Sequence, residues 1–371
     1  MSSDSRSLRA WLLNKANFVW AMLPLLGLAA CGGGILTAPP SHLAFVSVTA
    51  NNTIAAYRID NNTGAFTAIT GSPFFAGNSP TSLLLHPSGK YLYAINQVGN
   101  TISRFTVDSN VGSITEILPQ TPAGVSPVSM VMNAGGSLLF VANAFSSNIS
   151  VYSISSTDGS LSQITGSPFA TYQEPGALAL TPSGSLLYTM NGNLSSIIGY
   201  AVSSSGVLSR PTVLTLPQIE APFAVAVDPG GKYLYVTNPA DNALSIFSIN
   251  ATTGALTAVP QTPIATGTSP VAVTVQPNGQ YVYVANQVSN TVSIYSIDSA
   301  SGTPTQISGS PFSVTSAPQL LQWDPNGQWL YVGSQSANTV TEYSFSANGT
   351  LTTTSQSVTA DQTPTSMAVG H

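Results

Sequence analysis

The feature that most constrains this chain is a turn followed by an aromatic strand, which returns at almost constant spacing. It reads HPSGKYLY at 86–93, NAGGSLLF at 133–140, TPSGSLLY at 181–188, DPGGKYLY at 228–235, QPNGQYVY at 276–283 and DPNGQWLY at 324–331. The glycine of each turn, Gly89, Gly136, Gly184, Gly231, Gly279 and Gly327, advances in steps of 47, 48, 47, 48 and 48. So regular a step means copies of one supersecondary unit packed side by side. A seventh copy begins upstream, because Phe45 lies 48 residues before Tyr93 and is followed by NNTIAAY at 51–57, which matches GNTISRF at 99–105, SNTVSIY at 289–295 and ANTVTEY at 337–343. That copy lacks its first strand. The missing piece stands at the far end of the chain, where TPTSMAV at 363–369 matches SPTSLLL at 79–85 and SPVAVTV at 269–275.

Each repeat reads as four short strands: an apolar one after Pro, the YLYVAN strand, the NTVSIYSI strand and a polar one ending near GSPF or QTP, with Gly, Asn and Pro between them. Four antiparallel strands per unit and seven units are the proportions of an all-β, seven-bladed β-propeller. Strands such as FAVAVD at 223–228 are apolar throughout, as expected where neighbours cover both faces of a sheet. The first blade is expected to join strands from residues 43–70 to one from residues 363–369, so that pairing of the C-terminal strand with the N-terminal blade closes the ring. Pro73, Pro122, Pro168, Pro263 and Pro311 fall where outer strands end and discourage pairing with another chain.

The N-terminus has a different grammar. A basic stretch ends at Lys15, an apolar run follows from Phe18 to Ala30, and the chain then reads Leu28-Ala29-Ala30-Cys31. Residues 1–30 are therefore expected to be an export signal, and the last four resemble the bacterial lipobox, in which the cysteine carries the lipid. Cys31 is the only cysteine in the chain, so the folded part has no internal disulfide. Residues 31–41 read as the lipidated cysteine and a tether, and residues 42–371 as the propeller. The expected location is the cell envelope, with Gly32 rather than Asp after the cysteine pointing by resemblance to the outer membrane. The lipid anchor is the expected membrane contact, a protein or glycan the candidate partner, and the domain is expected to be a monomer.

Beyond residue 31 the chain keeps five Lys or Arg against twelve Asp or Glu, a net charge of −7. A nucleic-acid footprint is excluded by that balance. Ligands of a propeller usually meet the channel mouth, where inner strands begin and second strands end. Asn96, Asn143, Asn191, Asn238 and Asn286 end second strands and are candidate mouth-binding residues, with turn capping as the plainer role. Most inner strands start with Ser-Pro or Thr-Pro, but Glu174 precedes Pro175 and Glu220 precedes Ala221-Pro222. These two acids are the candidate catalytic pair. Carboxylates near one mouth either stand solvated on the rim, split their pKa values to act as acid and base, or hold a divalent cation; no other cofactor is expected. His42, His86 and His371 fall outside any register that reaches the mouth, so a histidine base or a histidine metal site is not expected. Glu342 and Arg58 sit near the same third-strand position in neighbouring blades and are expected to form an ion pair.

The segments YVTN at 235–238 and YVAN at 283–286, inside repeats of this length, resemble the YVTN-type propellers and the lactonase family of seven-bladed propellers. The likeness spans residues 42–370. It implies a relation to 6-phosphogluconolactonases and to the fungal carboxymuconate-cyclising enzyme, whose members use His, Glu and Arg around the channel. No catalytic residue carries over by motif, and fold alone does not confer function. The first expectation is thus a non-catalytic envelope lipoprotein serving as a binding scaffold; the alternative is a lactonase that uses the mouth carboxylates.

Overall fold

The computed structural model describes residues 41–171, 173–191, 195–215, 222–360 and 362–370; Cys31, Glu220 and His371 lie outside them. Within that span the chain forms seven antiparallel sheets. Six are built from consecutive segments, such as blade 2 with Pro80–Leu85, Tyr91–Asn96, Thr101–Val107 and Ile114–Pro122 from the axis outward. Blades 3 to 7 follow in order, with second strands Leu138–Asn143, Leu186–Asn191, Tyr233–Asn238, Tyr281–Asn286 and Leu330–Ser334. The expected all-β, seven-bladed architecture is what the chain adopts.

Blade 1 is the composite one. Its second, third and outer strands are Ser41–Val48, Thr53–Asp60 and Phe66–Ala68, and its inner strand is Pro364–Gly370 from the other end of the chain. The register runs Leu43 to Gly370, Phe45 to Ala368 and Val48 to Pro364. Each inner strand then lies against the next, so that the one at Pro364–Gly370 touches both Pro80–Leu85 and Pro318–Trp323. The ring is closed by hydrogen bonds, with no covalent clasp among the described residues.

The core is divided among the blade interfaces. Alternate residues of one strand serve opposite neighbours: Leu92 and Ala94 pack with Phe45 and Ile54 of blade 1, while Tyr93 and Ile95 pack with Leu139 and Val141 of blade 3. Similar clusters fill the interfaces between blades 3 and 4, 4 and 5, 5 and 6, 6 and 7, and 7 and 1. The second strands are therefore covered on both faces, which is why they are continuously apolar, while the outer strands are largely exposed. Tyrosines add direction to this packing. Tyr93, Tyr188 and Tyr283 each donate their hydroxyl to the carbonyl of a turn glycine 66 residues on, at 2.7–2.9 Å, in the following blade.

The GSP motif has a structural role that its position at the edge does not reveal. In blades 1, 3, 5 and 6 the outer strand breaks into two short pieces, for example Phe66–Ala68 and Phe74–Phe75, and in all of these but blade 5 a GSP motif stands at the break. The break would leave one N–H of the third strand unpartnered, and the serine fills it: Ala56, Val151 and Ile294 donate to Ser72, Ser167 and Ser310 Oγ at 2.8–2.9 Å. In blade 2 the outer strand Ile114–Pro122 is unbroken and ends at Pro122, as expected, with Pro122 pairing with Thr101.

Candidate active site

The strand order gives the ring two unlike ends. One collects the hairpins between second and third strands and the links into inner strands; this is the mouth end. The other collects the glycine turns. All basic side chains among those described stand toward the turns: Arg58 donates to Ser41 Oγ and to the carbonyl of Asn110, Arg104 reaches Asp158, and Lys90 and Lys232 lie in the turns themselves.

At the mouth end the five asparagines are present as expected, but they are wholly buried, each 0% exposed. The Nδ2 of Asn96, Asn143 and Asn286 donates to Ser103, Ser150 and Ser293 Oγ of the next strand at 2.9 Å, and Asn238 does the same to Ser245. Gly77 and Gly124 of the incoming links press directly on Asn96 and Asn143, where any side chain would collide. Four of the amides thus tie strand to strand, and Asn143 also holds its link by accepting the Gly124 N–H at 3.1 Å, whereas neither polar atom of the Asn191 side chain has a hydrogen-bond partner among the described residues. They lie below the solvent-facing rim.

A different set of asparagines organises that rim. Asn52, Asn100, Asn242 and Asn290 adopt left-handed backbone (φ 57, 56, 51 and 56), a conformation Asn tolerates better than most residues. Each accepts, at 2.7–2.8 Å, the N–H of the residue just before the next blade's inner strand: Ser79, Ser126, Ser269 and Ala317. The Asn just before the third strand in five of the seven blades was the available signal, legible as a repeat but not as a bond between blades.

Glu174 is exposed at the start of the inner strand of blade 4, where the following Gly176 donates to the carbonyl of Met190, next to Asn191. It therefore stands at the mouth end, while its candidate partner Glu220 lies outside the described residues. Phe223, three residues after Glu220 in the sequence, is 58% exposed. Phe223 belongs to a cavity of about 390 Å³ lined also by Pro239, Ser269, Val271, Gln287, Gln319 and Thr365. These come from blades 5, 6, 7 and 1 and enclose the mouth on one side of the axis. Among the described residues no group of three or more His, Cys, Asp or Glu gathers to hold a metal.

The expected pair of Arg58 and Glu342 does not form. Side chains at this level of the third strand all reach the same way around the ring: Arg104 of blade 2 toward blade 3, Arg58 of blade 1 toward Asn110 of blade 2, and Glu342 of blade 7 toward blade 1, where its carboxylate lies against Gly64. Arg58 and Glu342 therefore face different interfaces. Glu342 is 0% exposed and neither carboxylate oxygen has a hydrogen-bond partner. Burial pushes its pKa up to about 7, with the charge of Asp324 adding to the rise and the Thr354 hydroxyl opposing it. Tyr331 pairs with it across the strands and shares a 3.0 Å hydrogen bond with His42, whose Nδ1 meets Asn61 at 2.7 Å. His42 is thus structural, as is His86, which bonds Ser88 and the carbonyl of Gly136 at the turn end.

No curated protein matches this chain. Solved structures do: a Bacteroides fragilis protein described as a candidate 6-phosphogluconolactonase superposes with a TM-score of 0.77 at 19% identity, covering 89% of this chain and 98% of its own. The periplasmic gluconolactonase of Pseudomonas aeruginosa gives 0.75 at 18% identity, covering 89% and 99%. A Lactobacillus plantarum protein gives 0.74 at 20%, with the same coverage. At these identities the likeness is one of fold. The family described as "Lactonase, 7-bladed beta-propeller" matches residues 35–168, 162–273 and 257–369. With the match running from end to end of a ring that has the blade number and closure of that description, the chain belongs to the seven-bladed β-propeller lactonase family.

Proposed function

We propose that this protein hydrolyses a sugar lactone at the mouth of its ring, with Glu174 and Glu220 as the carboxylates that handle the proton. The observation that carries the reading is the coincidence of family membership over the whole ring with a sugar-sized cavity at the mouth end. Two structural neighbours bear lactonase names, a 6-phosphogluconolactonase candidate and a periplasmic gluconolactonase. The scaffold expected first from sequence gains nothing from either source.

The chemistry asks little of the protein. A water attacks the lactone carbonyl while a carboxylate takes its proton, the acyl–oxygen bond of the ring breaks, and the departing ring oxygen is protonated, giving the open hydroxy acid. A positioned carboxylate contributes about 10²–10⁴-fold to such a step. Glu174 is exposed at the mouth end, and Glu220 precedes the cavity-lining Phe223 by three residues.

The test is a pH-stat assay of the full chain on a panel of γ- and δ-lactones, corrected for spontaneous opening. Turnover is expected, with Glu174→Gln or Glu220→Gln lowering kcat by about 10²-fold or more. Activity undiminished in both variants removes the carboxylates from the mechanism. No turnover on any lactone sinks the reading altogether.

A further inference from the structure

We propose that the mouth cavity is a binding site for an uncharged, polyhydroxylated ring and selects against its phosphorylated counterpart, through Phe223 as the stacking face and Gln287 and Gln319 as hydroxyl acceptors. The inference deepens the lactonase reading by naming the substrate class, and it rests on that reading only for the lactone itself.

The two glutamines are held and oriented before any ligand arrives. Gln319 Nε2 donates to the carbonyl of Pro364 at 2.7 Å, and Gln287 Nε2 donates to Gln335 Oε1 at 2.9 Å. One amide proton of each side chain is spent on the protein, and the carbonyl oxygen of each is left as an acceptor for a ligand hydroxyl. Ser269, fixed by Asn242 across the blade boundary, adds a hydroxyl to the same wall. Phe223 is anchored by its main chain, donating to the Thr237 carbonyl at 3.0 Å, while Ala224 donates to Thr237 Oγ1 at 2.9 Å. Its ring is thus presented on a fixed backbone rather than on a free loop. An apolar face beside neutral acceptors matches a sugar ring, which has a face of C–H groups and a rim of donating hydroxyls.

The same set is unsuited to a phosphate. A phosphate calls for Arg, Lys or converging N–H donors, and none of the described lining residues is charged. The described charges at this end are the acids Glu174 and Asp241, which disfavour an anion, while Arg58, Lys90, Arg104 and Lys232 stand toward the other end.

Calorimetric titration of the full chain with D-glucono-1,5-lactam, a neutral analogue that cannot be hydrolysed, separates binding from turnover. The lactam is expected to bind, Phe223→Ala and Gln319→Ala each to weaken it about five- to tenfold with unchanged melting temperature, and the lactam 6-phosphate to bind at least tenfold more weakly. Absence of lactam binding, tighter binding of the 6-phosphate, or insensitivity to both substitutions overturns the inference. Lactam binding with the expected dependence but no lactone turnover removes the lactonase reading and keeps the site. Lactone turnover that ignores both substitutions does the reverse.

Discussion

At the scale of single residues, Glu342 is the group most out of balance with its surroundings. Its carboxyl is buried between blades 7 and 1 against Gly64, with Tyr331 beside it, Asp324 on its own blade and His42 beyond Tyr331. Because the folded-state pKa of about 7 lies above the ordinary 4.5, the native state binds the extra proton between those values. Stability is therefore highest below about pH 4.5, as far as this group is concerned, and falls as pH rises through 7, by about 2–3 kcal/mol in all. Glu342→Gln is expected to remove that slope, so that urea denaturation shows the variant more stable than wild type at pH 8 and equal to it at pH 4.5. The same gap at both values would mean that ionisation of Glu342 has no part in it. In the sequence Glu342 was legible as an inward third-strand residue in a slot that is Val151, Ile246 or Ile294 elsewhere. That its carboxylate would lie unpaired was not, because the repeat gives the level of a side chain on the blade but not the direction around the ring in which it points.

At the scale of elements, blades are joined by a bond that recurs from the hairpin of one to the first strand of the next. Asn100, at φ 56, accepts the N–H of Ser126 at 2.8 Å. Two effects can be separated there. Asn100→Gly keeps the left-handed backbone and loses the bond, at about 1 kcal/mol; Asn100→Ala loses both, at about 2–3 kcal/mol in total. Thermal denaturation should rank them wild type, Gly, Ala, and equal losses in the two variants would assign the effect to the side-chain bond alone. The serines of GSP act on the same level, standing in for a stretch of outer strand that the turn removes. Sequence marks both motifs as punctuation; which N–H each one meets depends on strands brought together by the fold.

At the scale of the whole molecule, closure decides stability. The strand Pro364–Gly370 pairs with Leu43–Val48, packs Met367 into the interface with blade 7 and Ala368 into that with blade 2, and offers Ser366 Oγ to the N–H of Leu83 at 2.9 Å. Removing residues 361–371 opens the ring at both sides of one blade and bares the dry faces there. Loss of a single cooperative unfolding transition is expected, read by calorimetry or by tryptophan fluorescence in urea. A shortened chain that melts as one unit at the native temperature would show that the ring does not depend on this strand.

The sequence by itself determined the number of blades, their four-stranded make-up and the joining of the two ends in blade 1, because a period repeated seven times sums many weak local preferences into one unambiguous pattern. Only the tertiary structure decided that the second-strand asparagines are buried ties and that Phe223, Ser269, Gln287, Gln319 and Thr365 share one cavity. Those residues come from four blades, and Phe223, Gln319 and Thr365, with Val271, hold one position of the repeat at steps of 48, 48 and 46, so the sequence aligned them without showing that they enclose a space. Their meeting follows from the curvature of the closed ring, a property of the packed sheets that no stretch of chain carries alone.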